Sequence, residues 1–301
     1  MNASDRLALS LVGDGALATS IREHDTPLRG FAVQRVADMT DEAGASVVVV
    51  DGEPGRRHAD IAAALRQGQL VVSAFPPATE SDGLRQIEAL VAAGGRLVTT
   101  RDLTAYATCR DALAQIRDGL LGRLQSVYIA HRLPRSSKDI SILAQAGWSV
   151  LDLLLELTDA MPLRLYATGG TLFGAPSTAM DTVTAILRFP NDVIATIELS
   201  RCLPAEVSGR STSEIEVEII GADGAIKVEP RGGRLDVVTA TGRVEQPWRD
   251  ERVIPMLAHV LSVAQGESVA DARLQRVAEV IQVMQAIDTS LATAGTVNLA
   301  A

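Results

Sequence analysis

The run Leu7-Ala8-Leu9-Ser10-Leu11-Val12 leads directly into Gly13-Asp14-Gly15-Ala16-Leu17-Ala18, and no other passage constrains the fold as tightly. The first six residues have the length and apolar character of a strand, and a helical pattern opens after the glycines. The spacing is G-x-G-x-x-A. Gly13 permits a tight turn, Gly15 leaves the backbone bare for close approach of a ligand, and Ala18 is small enough for helix and strand to pack closely. A helix that starts there directs N–H groups and the positive end of its dipole toward a diphosphate. Gly13, Asp14, Gly15, Ala16 and Leu17 are therefore the expected dinucleotide-binding residues. Asp38, at the end of the second strand candidate, is placed to accept hydrogen bonds from a ribose diol.

The first half of the chain keeps this rhythm. Strand candidates at Leu7–Val12, Phe31–Ala37, Ser46–Val50, Leu70–Ala74 and Arg96–Thr100 alternate with helical stretches such as Ala59–Gln67 and Asp82–Ala93. Continuous apolar strands separated by helices predict a parallel sheet covered on both faces. After Leu121 the pattern changes. A strand at Leu124–His131 and a long apolar helix at Ile140–Leu157 precede six strand-like runs between Leu163 and Thr239, and helical segments at Glu251–Val263 and Ala270–Ala292 close the chain. The expected fold is α/β: a Rossmann doubly wound parallel sheet over residues 1–121, then an α+β domain over 122–301 with a large, mostly antiparallel sheet. The terminal helices are expected to pack back on the first domain.

Charge and cysteine content narrow the partners. The net charge of −9 argues against general affinity for nucleic acid or anionic membrane. Cys109 and Cys202, far apart, make neither a disulfide framework nor a zinc ribbon, and no histidine spacing suggests a metal site. The first residues lack a basic n-region, and the apolar runs are strand length, so a cytoplasmic location is expected.

The order of features resembles the glucose–fructose oxidoreductase and inositol dehydrogenase family (Gfo/Idh/MocA) over nearly the whole chain. Pro54-Gly55-Arg56-Arg57-His58 stands where that family has Pro-Asn-x-x-His, and Ala74-Phe75-Pro76 where it has Glu-Lys-Pro. Arg101-Asp102-Leu103-Thr104-Ala105-Tyr106 is similar to its Arg-x-x-Pro-x-Tyr. Gln145 to Asp152 stands where it has Asp-x-Gly-x-His-x-x-Asp. The resemblance implies NAD(P)-dependent hydride transfer on a polyol, sugar or related carbonyl compound. It adds Pro54, His58, Ala74 and Phe75 to the cofactor residues, and places Arg101, Arg132, Gln145, Trp148 and Ser149 around the substrate. It also implies a homodimer or homotetramer formed through the second-domain sheet. NAD is slightly favoured over NADP because Asp38 would repel a 2′-phosphate, although Arg35 nearby weakens the preference.

The family's proton-moving residues are replaced: its Lys by Phe75, its Asp by Gln145 and its His by Ser149, with only the last Asp kept, as Asp152. Oxidising an alcohol by hydride transfer also requires removing its hydroxyl proton, a task a positioned side chain speeds by roughly 10²–10⁴. Phe75 holds no proton, and Gln145 and Ser149 do not titrate near neutrality. Only two of the 28 basic side chains are lysines, Lys138 and Lys227. Lys138, His131 and Asp152 are therefore the candidate catalytic groups. Arg132, Arg135 and Lys138, in the basic stretch after the second domain's first strand, are suited to a carboxylate or phosphate. Two functions stay open: an oxidoreductase with a rebuilt site and a non-standard substrate, or a non-catalytic nucleotide-binding protein acting as a partner subunit or ligand sensor. Elimination or isomerisation in the same pocket is a third.

Overall fold

The computed structural model describes residues 7–13, 15–22, 31–36, 46–135, 139–173, 179–204, 213–230, 232–247 and 253–299. Its helices are α1 (Ala16–Arg22), α2 (Pro54–Arg66), α3 (Ser81–Ala92), α4 (Ala107–Arg117), α5 (Trp148–Thr158), α6 (Val253–Ala264) and α7 (Leu274–Thr293). Two compact units result. One comprises residues 1–102 and 251–281, the other 103–250 and 282–301. The division after residue 102 falls earlier than the 121/122 boundary expected from the strand pattern. Helix α4 accounts for the difference, since it lies against strands of the second unit's sheet.

The first unit is built on five parallel strands, β1 (Leu7–Val12), β2 (Phe31–Val36), β3 (Val47–Val50), β4 (Leu70–Ser73) and β5 (Arg96–Thr99), in the order β2-β1-β3-β4-β5. The central strands are buried on both faces, as unbroken apolar runs require. Leu9, Leu11, Val47, Val49, Leu70, Val72 and Val98 alternate along their strands to form one face of the core. Leu257, Val260 and Val263 of α6 belong to the same cluster. Helix α2 lies against β3 and β4 and packs on α3. Its first residue is Pro54, a position where the missing N–H costs nothing. Because β1 and β3 are neighbours, the glycine turn after β1 and the loop after β3 meet at the carboxyl ends of the strands, where open α/β sheets bind ligands.

The second unit carries a nine-stranded sheet of β6 (Leu124–Pro134), β7 (Arg164–Gly170), β8 (Thr182–Arg188), β9 (Ile194–Leu203), β10 (Glu214–Gly221), β11 (Gly224–Glu229), β12 (Arg234–Thr239), β13 (Gly242–Pro247) and β14 (Val297–Asn298). The order is β13-β12-β11-β10-β6-β9-β8-β7-β14. Only β6 and β9 run parallel. Alternation gives the sheet two unlike faces. Val127, Ile129 and His131 of β6 and Ala195, Ile197, Leu199 and Arg201 of β9 are buried on one face. Tyr128 and Arg132 of β6 and Glu198 of β9 lie on the other. Neither β13 nor β14 was expected from the sequence. β13 is an edge strand with no buried residue, and β14 has only two residues, so neither shows an apolar period. The helix expected over Ile140–Leu157 is instead a π-helical turn at Leu143–Gly147 that leads into α5.

Ser290 on α7 joins two backbone groups with one hydroxyl. It accepts from the Ala167 N–H of β7 at 2.8 Å and donates to the Gly295 carbonyl at 2.6 Å, and it is fully buried. Ser290→Ala strips both partners, and an orphaned buried amide costs about 1–3 kcal/mol. Urea unfolding of the variant is expected to show a loss in that range.

Candidate functional site

The site residues fall into two groups, one in each unit. In the first unit, Gly13 adopts φ +94°, and a Cβ there would lie 2.6 Å from the Gly52 nitrogen. A Cβ on Gly15 would lie 2.3 Å from the carboxylate of Asp51. The turn is therefore glycine because the loop after β3 presses on it. Asp51 dominates the contact. Its carbonyl accepts from the Gly15 N–H at 3.1 Å, its own N–H donates to Val12 at 2.9 Å, and its carboxylate accepts from the Ala18 N–H at 2.9 Å. The groups of α1 that the sequence suggested for a diphosphate are thus partly engaged by a side chain of the chain itself.

Asp51 is 5% exposed and lies 3.7 Å from the Arg57 guanidinium. Arg57 is buried too and donates to the carbonyls of Gly52 (2.8 Å) and Pro76 (2.6 Å). This pair fastens the ends of β3 and β4 together. Burial pushes the Asp51 carboxyl above its usual range, against the opposing pull of the Ala18 N–H and Arg57. Burial likewise lowers Arg57, and Asp51 offsets part of the effect.

The other first-unit candidates are spread out. Pro54 is exposed at the start of α2, and Ala74 is buried at the end of β4. Phe75 is half-buried, with the Arg273 guanidinium 5.9 Å from its ring centroid. His58 packs on Gly83 of α3, where a Cβ would come within 2.9 Å of its ring. Arg101 is exposed, 4.0 Å from Asp271. Asp14 and Asp38 lie outside the described residues.

In the second unit, Trp148, Ser149 and Asp152 are all buried on α5. The Ser149 hydroxyl turns back to the Ala146 carbonyl at 3.3 Å. His131 is buried on the inner face of β6. Arg132 is not beside it. Adjacent strand residues point to opposite faces, and Arg132 lies on the outer face, 3.5 Å from both Glu198 and Glu216. There Tyr128 donates to Glu198 at 2.7 Å, and burial and then Glu198 push its phenol up to about 12. Grouping Arg132 with His131 around a substrate is thus overturned by strand alternation. Arg135 is exposed over the Phe173 ring at 5.6 Å, and Lys138 lies outside the described residues.

Gln145 has an unexpected partner. Its Oε1 accepts from Nε (3.2 Å) and Nη2 (2.6 Å) of Arg201, a side chain only 1% exposed. Arg201, Asp51 and Arg57 escaped the sequence reading. A phase signal for the first was present, since Arg201 continues the inward series Ala195, Ile197, Leu199. Asp51 directly follows four consecutive valines.

Residues 109–227 match the family model of the GFO/IDH/MocA C-terminal domain. Solved structures extend the likeness in fold to nearly the whole length. An oxidoreductase from Agrobacterium radiobacter, in complex with NAD+, L-tartaric acid and magnesium, superposes with a TM-score of 0.81 at 14% identity, covering 97% of this chain and 98% of that one. Myo-inositol 2-dehydrogenase from Lactobacillus plantarum gives 0.80 at 13%, covering 98% and 100%. An oxidoreductase domain protein from Kribbella flavida gives 0.77 at 16%, covering 98% and 100%. No curated protein matches the sequence. Among the described residues no helix is long and apolar enough to cross a membrane.

The Asp51–Arg57 pair yields a test at this edge of the first sheet. A carboxyl whose folded pKa is raised holds a proton the unfolded chain has lost, so its contribution to stability falls as pH rises through that window. Removing Arg57 raises the folded value further and leaves a buried charge uncompensated. Arg57→Met is expected to lose about 3–5 kcal/mol at pH 7.5 and less at pH 5.5, where the orphaned carboxyl takes up a proton. Urea unfolding at both pH values measures this, and a loss independent of pH would contradict the ionised pair.

Proposed function

We propose that this protein is an NAD(P)-dependent oxidoreductase with an altered active site, acting on a hydroxy or carbonyl compound other than the family's usual sugars and polyols. The observation that carries the reading is the glycine turn after β1 in a chain whose residues 109–227 match the model of the GFO/IDH/MocA C-terminal domain. The backbone suits a dinucleotide: Gly13 takes the left-handed conformation and Gly15 is bare. Gly13, Gly15, Ala16 and Leu17 would hold its diphosphate, and the nicotinamide would supply the hydride chemistry. Asp51 sets the terms of binding. Its carboxylate holds the Ala18 N–H, so a diphosphate competes with an internal anion that Arg57 partly neutralises.

Proton handling falls to this chain's own groups. Phe75, Gln145 and Ser149 supply no proton near neutral pH. His131 and Asp152, buried in the second unit, are the titratable side chains proposed to hold or move one. NADH fluorescence titration tests the reading. Binding is expected in the wild type, and Asp51→Asn is expected to tighten it about 5–10-fold, the effect of removing roughly 1 kcal/mol of like-charge repulsion near a protein surface. Absence of binding to both NADH and NADPH would overturn the proposal.

The outer face of the large sheet is the proposed surface for self-association. Tyr166, Ile186, Ile194, Ile220 and Val238 are all exposed there, beside the ionic group of Arg132, Glu198, Glu216 and Lys227. Exposed apolar residues gathered on one face, with polar groups beside them, mark an interaction surface. Light scattering is expected to show a dimer or tetramer, and the double variant Ile186→Asp, Ile194→Asp a monomer.

A further inference from the structure

We infer that the substrate carries a carboxylate and that Arg201 is the residue that selects it. The inference rests on reading the inner face of the second unit as the substrate face.

Arg201 stands on β9 with its side chain 1% exposed. Buried guanidinium groups ordinarily face a carboxylate, because desolvating the charge is otherwise uncompensated. This one does not. Its Nε and Nη2 donate to the neutral amide oxygen of Gln145, Nη2 donates also to the Ile140 carbonyl, and Nη1 has no hydrogen-bond partner among the described residues.

Asp181 is the nearby acidic group, but its oxygens are engaged elsewhere. They accept from the N–H groups of Leu172 (2.8 Å) and Phe173 (2.9 Å) and from the Thr182 hydroxyl (3.0 Å). Burial pushes its carboxyl up, but those three donors, and after them the Arg201 charge, outweigh the effect, and it lies below its usual range. Asp181 therefore remains an anion bound to its own loop. Burial also lowers the Arg201 pKa, and Asp181 offsets that only in part.

Gln145 shows how a ligand reaches the cation. Its side chain is exposed, so the guanidinium lies one side chain below the surface. The Gln145 oxygen takes Nε and Nη2 together, the edge along which a carboxylate makes two parallel bonds with arginine. A carboxylate that displaces the amide exchanges a neutral acceptor for a charged one and brings a second oxygen within reach of the remaining donors. Gln145 is a neutral placeholder, and selection for charge lies with Arg201. The class of ligand is a small hydroxy or oxo acid.

Matched pairs test this without nucleotide, so the result is independent of whether NAD(P) binds or hydride transfer occurs. D-Gluconate and L-malate are titrated calorimetrically against the neutral alcohols of the same skeletons, D-glucitol and (S)-butane-1,2,4-triol. At least one acid is expected to bind tenfold or more tightly than its alcohol. That preference should disappear in Arg201→Lys, which keeps the charge but not the fork, and in Gln145→Glu, whose own carboxylate fills the place. Gln145→Glu should also melt about 2–4 °C higher, because it supplies the missing counter-charge. Acids binding no better than their alcohols, a preference that survives both variants, or a Gln145→Glu protein no more stable than the wild type would each overturn the inference.

Discussion

Asp51 ties the glycine turn to the rest of the first sheet. Its backbone groups join β1 to the turn, its carboxylate holds the start of α1, and its charge fixes Arg57, which in turn binds the carbonyls beyond β3 and β4. A carboxylate buried this deeply persists because it is paired and hydrogen-bonded. The same arrangement places an anion where the fold ordinarily receives one. A nucleotide bound there as proposed would compete with Asp51 for the Ala18 N–H.

The second unit turns on strand alternation. Neighbouring residues of β6 serve opposite faces: His131 lies inward under the helical layer, while Arg132 joins Glu198 and Glu216 outside. The outer face gathers ion pairs and exposed apolar side chains. The inner face gathers Ser149, Asp152, His131 and Arg201, buried polar groups in an otherwise aliphatic core, with Gln145 exposed above Arg201. Polar side chains in such a place cost free energy unless partnered, which makes the imperfectly partnered Arg201 the informative one.

Much of the fold was legible beforehand. Unbroken valine runs and the G-x-G-x-x-A turn pointed to a parallel sheet, and consecutive alternating runs pointed to the larger one. The expected helix over Ile140–Leu157 emerged with a π-turn at its start, a local rearrangement of hydrogen bonds with no compositional signature. At the candidate site, the glycine turn and the helical segment that carries Gln145, Ser149 and Asp152 were legible as local structure. Arg132 departs from expectation because adjacent strand residues face opposite ways, so His131 and Arg132 are neighbours in sequence and not in space.

The sequence by itself determined the order of the main elements and the glycine turn. Those are matters of residue type and local period. Tertiary structure decided the partners: Asp51 with Gly15, Ala18 and Arg57, and Arg201 with Gln145, 56 positions away in the chain. Such pairs arise from strand order and register, which bring distant residues together, and no local pattern encodes them.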